Sequence, residues 1–387
     1  MLKTIKLTIE TFRDLIIRFL PQCLVKFLVG SGEFGFLIHP RDFNDASKKF
    51  PIAKFLPQKI LEVWERFQWP LIASQVTGFK TKLNREIKGW IIICPLTAKR
   101  MIKNRNLAKK RVIESIRLAE KLGTKIVGLG AFTSIVTNDG LDLIGKVRVD
   151  VTTGNTYAAA IAIQNVKKVA ELVGLNLKFC GVAIVGAAGS VGSACSIILS
   201  KEVKKIIMID INTTALNKLA HTIKEINQNL TASSYIEQIR EADIIITVSS
   251  APHVIVTAEY LKPGAIVIDA AQPRNVSEDI PNIRKDVLVI ESGIAETDGI
   301  NCNFDLDVKE GEVLGCLGEL LILRSKNWQG NYSLGKVKPH QVEEISKWAE
   351  EIGLRLAKFR NSLGYIRDED IQRIRQIHLT KESECIK

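Results

Sequence analysis

No unbroken apolar run in this chain approaches the roughly twenty residues that a membrane-spanning helix requires. Paired cysteines are missing as well. The seven, at 23, 94, 180, 195, 302, 316 and 385, are odd in number, scattered and without a CxxC, which speaks against a disulfide framework and a zinc site and for a reducing, cytoplasmic setting. No block of basic residues interleaved with aromatics accompanies the formal charge of +12, so nucleic acid is not an expected partner. A lysine-rich solvated surface is the plainer reading of that charge, although it also attracts acidic partners. Residues 1–31 lack a signal-peptide core, because Lys3, Lys6, Arg13, Arg18 and Lys26 interrupt it. What remains there is a basic amphipathic extension carrying Ile16, Ile17, Phe19, Leu20, Leu24 and Val25. It can dock on its own protein or lie on a membrane surface as a peripheral contact.

What is present is an ordinary globular composition, 46% apolar and 25% charged over 387 residues, enough for a large core and two or three domains. The chain is organised around residues 181–210, GVAIVGAAGSVGSACSIILSKEVKKIIMID. An apolar run at 182–185 breaks at Gly186, Ala187, Ala188, Gly189, Ser190, Val191 and Gly192, passes into a helix, and is followed by a second apolar run ending in Asp210. Strand, glycine turn, helix and strand with a terminal acid form the pattern that holds a dinucleotide. Gly186 permits the tight turn, Gly189 lets a pyrophosphate approach the backbone, and Gly192 lets the helix lie close to its strand. The phosphates would meet the helix start near Ser190. Asp210 can accept from an adenosine ribose and leans the choice between NADH and NADPH towards NADH, since 211–214 (INTT) offers no cation for a 2′-phosphate. Glycine turns also occur wherever a helix packs close to a sheet, but here every flanking element is in the required order.

Around this stretch the expected fold is α/β: an N-terminal α/β substrate domain over 32–153, a Rossmann-like nucleotide-binding domain over 154–300, and a C-terminal helical segment over 301–387. Strands are expected at 34–38, 71–79, 87–93, 125–129, 243–248, 265–269 and 287–291. Helices are expected after Asp42, at 107–122, 157–173 and 214–227, and in the C-terminal part at 313–323, 341–363 and 368–377. Two polar turns, 130–135 and 152–156, stand where an active-site rim would be, though from the residues alone the second reads better as a helix cap. Ser249 and Ser250, with 251–253 and 269–275, fall at strand ends on the nicotinamide side.

Residues 130–135 (GAFTSI), 152–156 (TTGNT) and 185–194, Asp269 with Pro273 and Asn275, and Cys316 with Trp328 and Gly335 together resemble the cyanobacterial long-chain acyl-(acyl carrier protein) reductase family, over about residues 32–340. The resemblance implies reduction of a fatty acyl thioester, carried by acyl carrier protein or CoA, to an aldehyde through an acyl-cysteine. It places Cys316 at the nucleophile's position; apolar neighbours alone would make it an inert core cysteine. Thr133 and Ser134, or backbone N–H groups near Cys316, are then candidates to stabilise the oxyanion. His39 and His253 are candidates for proton handling, but lone histidines are more often structural. Asp210 departs from the basic residue that the family's pattern has at that point. Two other readings fit the same layout: a shikimate- or amino-acid-type dehydrogenase with direct hydride transfer, and a non-catalytic nucleotide-binding protein.

Overall fold

A computed structural model describes residues 13–14, 16–17, 19–41, 57 and 68–385, with side chains to residue 380. Asp42 and the helix expected after it, with Lys3, Lys6 and Arg18 of the basic extension, lie outside the described residues. The chain divides into two compact units, each assembled from separated stretches. The first comprises 1–154, 297–335 and 348–354; the second comprises 155–296, 336–347 and 355–387.

In the first unit a short helix α1 (Gln22–Val29) precedes strand β1 (Phe34–Ile38). Of its residues only Val25 is buried, while Leu24, Phe27 and Leu28 are exposed. Strands β2 (Leu71–Val76), β3 (Gly89–Ile93), β4 (Ile126–Leu129) and β5 (Asp150–Thr152) join β1 in one sheet of order β2-β3-β1-β4-β5. Only β2 runs antiparallel to its neighbour; β3, β1, β4 and β5 are parallel. Between β3 and β4 lies helix α2 (Arg105–Lys121), started by Asn104, whose side chain accepts from the Leu107 N–H at 3.0 Å. Its buried Ala108, Val112, Ile116 and Ala119 join β1, β3 and β4 in one core.

The second unit begins with helix α3 (Asn155–Val173) and a six-stranded parallel sheet. Strand β6 (Gly181–Val185) leads into helix α4 (Ser190–Ser200), strand β7 (Lys205–Ile209), helix α5 (Thr213–Lys224) and strand β8 (Leu230–Ser233). Strands β9 (Ile244–Thr247), β10 (Ile266–Asp269) and β11 (Leu288–Glu291) complete the order β11-β10-β9-β6-β7-β8. This is the doubly wound Rossmann arrangement, with the order reversing between β6 and β9. The central strands read as unbroken apolar runs because both faces of a parallel sheet are covered.

The late part of the chain differs from the expectation of a helical segment of its own: its residues divide between the two units. The apolar run at 313–323 is not one helix. Glu312–Leu314 is a strand, and helix α6 (Gly315–Ser325) starts at Gly315, in the same run, so hydropathy alone does not mark the break. The helix expected over 341–363 ends early: α7 (Pro339–Glu351) stops before Gly353, at φ +86°, and a hairpin of Arg360–Asn361 with Gly364–Tyr365 follows. Helix α8 (Asp368–Cys385) then packs on α3. No helix among the described residues is long and apolar enough to cross a membrane.

Candidate active site

In the second unit the glycine turn adopts the geometry a dinucleotide needs. Gly186 has φ +86°, and a Cβ there would lie 2.8 Å from the Ser249 backbone. Glycine is therefore required twice over, by conformation and by space. Gly192 is required by the turn itself: its added Cβ would stand 2.1 Å from the Gly186 carbonyl oxygen. Gly189 is the N-cap of α4, and no side chain caps that helix start. Its leading N–H groups have no intrahelical partner, so they and the glycine cradle fit a pyrophosphate. Ser190 opens the helix, and its Oγ accepts from the Val337 N–H at 3.2 Å, bringing residues 336–347 to this point within the unit.

Asp210 follows β7 as expected, and it does more than wait for a ribose. One carboxylate oxygen accepts from the Ala188 N–H at 2.9 Å and the other from the Asn212 N–H at 2.8 Å. Each oxygen keeps a second lone pair, so ribose hydroxyls can still donate to it. Ser249 turns its Oγ to the Ala251 N–H at 3.1 Å, and Ser250 beside it is exposed. Asp269, Pro273 and Asn275 come together at the ends of β9 and β10. The Asp269 carboxylate accepts from Thr247 Oγ1 at 2.5 Å and from the Ala271 and Val276 N–H groups at 3.2 and 3.3 Å. Burial still pushes its pKa above the ordinary carboxylate value, against those hydrogen bonds. Asn275 Nδ2 donates to the Ala251, His253 and Pro273 carbonyls, which pins the two strand-end loops to each other.

The first unit holds the other half of the expected residues. Cys316 is the second residue of α6, whose helix start carries no side-chain cap. Burial pushes its thiol up to about 12, and the Glu319 carboxylate pushes the same way, opposed by the Leu317 N–H that the sulfur accepts. The 152–156 turn, expected only at a rim, meets Cys316 directly. Gly154 has φ +78°, and a Cβ on it would stand 2.3 Å from both Cα and Cβ of Cys316. Two contacts hold the turn there. Glu319 accepts from the Thr152 hydroxyl and, at 3.2 Å, from the Gly154 N–H. On the other side Thr153 Oγ1 donates to the Ser333 carbonyl at 2.6 Å, and the Tyr332 N–H donates to the Val151 carbonyl at 3.0 Å.

Glu319 escaped the reading of the sequence. The signal was a single carboxylate three residues after the cysteine in the otherwise apolar run 313–323; it is fully buried. Thr133 and Ser134 are placed differently from the expected oxyanion donors. Thr133 Oγ1 donates to the Gly130 carbonyl at 2.8 Å, and Ser134 Oγ donates to Asp139 at 3.2 Å. Their protons are committed to their own loop, and no hydrogen bond among the described residues links either to Cys316. His39 is structural: its Nδ1–H donates to the Pro40 carbonyl at 3.0 Å, leaving Nε2 to accept from the Phe132 N–H at 3.2 Å. His253 lies exposed after β9.

Comparison with known proteins gives several likenesses. Residues 167–291, within the nucleotide unit, match the family model for shikimate / quinate 5-dehydrogenase. The chain is 27% identical over 327 residues to the long-chain acyl-[acyl-carrier-protein] reductase of Synechococcus elongatus, covering 79% of this chain and 92% of that protein. It is 27% identical over 276 residues to the aminotransferase PigE of a Serratia species, covering 69% of this chain but only 32% of that protein, so it spans about a third of that relative's length. Among solved structures, L-tryptophan dehydrogenase from Nostoc punctiforme aligns at 12% identity and a TM-score of 0.38, over 92% of this chain and 90% of that one. The sequence likenesses relate the chain to reductases and dehydrogenases and support an oxidoreductase.

Proposed function

We propose that this protein reduces a fatty acyl thioester to an aldehyde with a nicotinamide dinucleotide as hydride source. The observation that carries the reading is Cys316 in the first turn of α6 with the 152–154 turn fastened against it, in a chain aligned over 92% of an acyl-thioester reductase. Cys316 Sγ attacks the thioester carbonyl, the carrier's thiol leaves with a proton, and the acyl group rests on the cysteine. A nicotinamide dinucleotide, when bound, would supply the hydride that reduces the acyl carbon. Collapse of the resulting hemithioacetal breaks the C–S bond, returns the sulfur to Cys316 and releases the aldehyde. Backbone N–H groups at the start of α6 are better oxyanion donors than Thr133 and Ser134, whose hydroxyls are occupied. Gly186, Ala187, Ala188, Gly189, Ser190, Val191 and Gly192 would hold the pyrophosphate, Asp210 the ribose, and Ser249 and Ser250 would border the nicotinamide half. Asp210 repels a 2′-phosphate, which favours NADH. The net charge of +12 suits an acidic acyl carrier protein.

The match to the shikimate / quinate 5-dehydrogenase model and the high thiol pKa favour one second reading, direct hydride transfer to a small polar substrate. Intact-mass analysis with long-chain acyl thioesters and no nicotinamide separates the two. An adduct mapped to Cys316 and discharged by NADH or NADPH is the expected result; its absence across chain lengths, with turnover intact in Cys316→Ala, overturns the acyl-cysteine route.

A further inference from the structure

Glu319 lies one helical turn after Cys316 in α6 and is fully buried. The other charges on or beside α6 are engaged elsewhere. Arg324 bonds Glu33 at 3.0 Å at the far end of the helix, with Arg85 joining them through the Arg324 carbonyl at 2.7 Å, and Glu312 accepts from the Lys309 N–H at 2.9 Å. Residues three apart on a helix share a face, so Glu319 and Cys316 look the same way. A fully buried carboxylate is costly unless it is hydrogen-bonded, and the 152–154 turn supplies two donors to it. That turn is the stretch whose Gly154 lies against Cys316 with no room for a methyl group.

We propose that Glu319 is a positioning residue for Cys316: it fastens the 152–154 turn over the cysteine and keeps a negative charge one helical turn from the sulfur. It is not the base that takes the thiol proton, because a carboxylate held by two donors is far too weak a base to deprotonate a thiol of such low acidity. Its effect is restraint. The half-exposed resting cysteine stays protonated, which slows its reaction with stray electrophiles and oxidants until a substrate is seated.

The catalytic importance of this arrangement rests on the acyl-cysteine reading, but its test does not. Alkylation of Cys316 is followed by peptide mapping in the full chain at pH 8, with neutral iodoacetamide and anionic iodoacetate. Glu319→Gln keeps the shape and removes the charge. It should speed iodoacetamide labelling about twofold, the scale of a like-charge pair one helical turn apart, and speed iodoacetate labelling more. Glu319→Asp should return the wild-type ratio of the two reagents. Thr152→Val keeps the charge and removes a tether, so it should speed both reagents about equally, roughly threefold if the turn opens by under 1 kcal/mol. A folded Glu319→Gln that labels at the wild-type rate and ratio overturns the proposal. If that variant does not fold, an unchanged labelling rate in Thr152→Val overturns it. Failure to form an acyl adduct on wild-type Cys316 with these labelling results intact would instead overturn the functional reading and leave Glu319's hold on the thiol standing.

Discussion

Replacing Gly154 with alanine tests the contact on which the site depends. The substitution has two costs. At φ +78° an L side chain occupies left-handed backbone, worth about 1–2 kcal/mol. The new methyl group also meets Cα and Cβ of Cys316 at 2.3 Å, where the obstacle is the first turn of α6 and not the movable end of a side chain. Overpacking of that kind costs about 1–3 kcal/mol, so the expected total is about 2–5 kcal/mol, out of the roughly 5–15 kcal/mol typical of a domain. Gly145 supplies the control within the same unit: its φ is +74° and an added Cβ meets nothing within 4 Å, so Gly145→Ala carries only the first cost. Trp69, Trp90, Trp328 and Trp348 lie in the first unit, and their fluorescence during urea unfolding reports on that unit. If Gly154→Ala proves no less stable than Gly145→Ala within about 0.5 kcal/mol, the close approach of the turn to Cys316 is wrong.

Four further outcomes are expected. Gly192→Ala drives a methyl group into the Gly186 carbonyl oxygen at 2.1 Å; NADH affinity measured by calorimetry should fall about ten- to a hundredfold, and an unchanged Kd would remove the glycine turn from the site. Asp210→Asn should move the ratio of NADPH to NADH affinity about tenfold towards NADPH, whereas an unmoved ratio would mean the carboxylate serves only its Ala188 and Asn212 contacts. Cys316→Ala should abolish aldehyde formation while nucleotide binding persists. Asp269 carries a raised pKa, so the folded chain binds its proton more tightly than the unfolded chain, and its contribution to stability falls as pH rises from about 3.8. Urea midpoints of wild type and Asp269→Asn between pH 4 and 7 should show the wild type losing ground; a constant difference would contradict the sign.

The nucleotide unit was legible because its parallel strands are covered on both faces and appear as short apolar runs separated by glycine, cap and turn residues. Where those conditions lapse, the sequence is silent. β8 (LTAS) is a half-exposed edge strand with one large apolar residue, and β5 has only three residues; neither stands out by hydropathy. The strand-to-helix change at Leu314 and Gly315 hides inside one apolar run, since both elements bury their side chains. Cys316 could be singled out only by the resemblance, and its chemistry depends on partners that sequence distance conceals. Thr152 lies 167 residues from Glu319, and no local pattern predicts that a buried carboxylate will find its donors there. Thr133 and Ser134 show the converse: hydroxyls in a promising loop turn out to satisfy that loop's own backbone and acid.

The interleaving of the two units fixes an order of assembly on the ribosome. Leu320 of α6 packs onto β4 where Gly128 leaves room, since a Cβ at Gly128 would meet Leu320 at 2.6 Å. At synthesis rates of about 5–20 residues per second, α6 follows β5 by roughly ten to thirty-five seconds. During that interval the five-stranded sheet waits with this patch uncovered, while the whole six-stranded sheet is translated. Cys316 thus reaches its own unit only after the whole second sheet has been made, and nascent chains stalled before residue 315 should attract the chaperones that recognise bare apolar sheet.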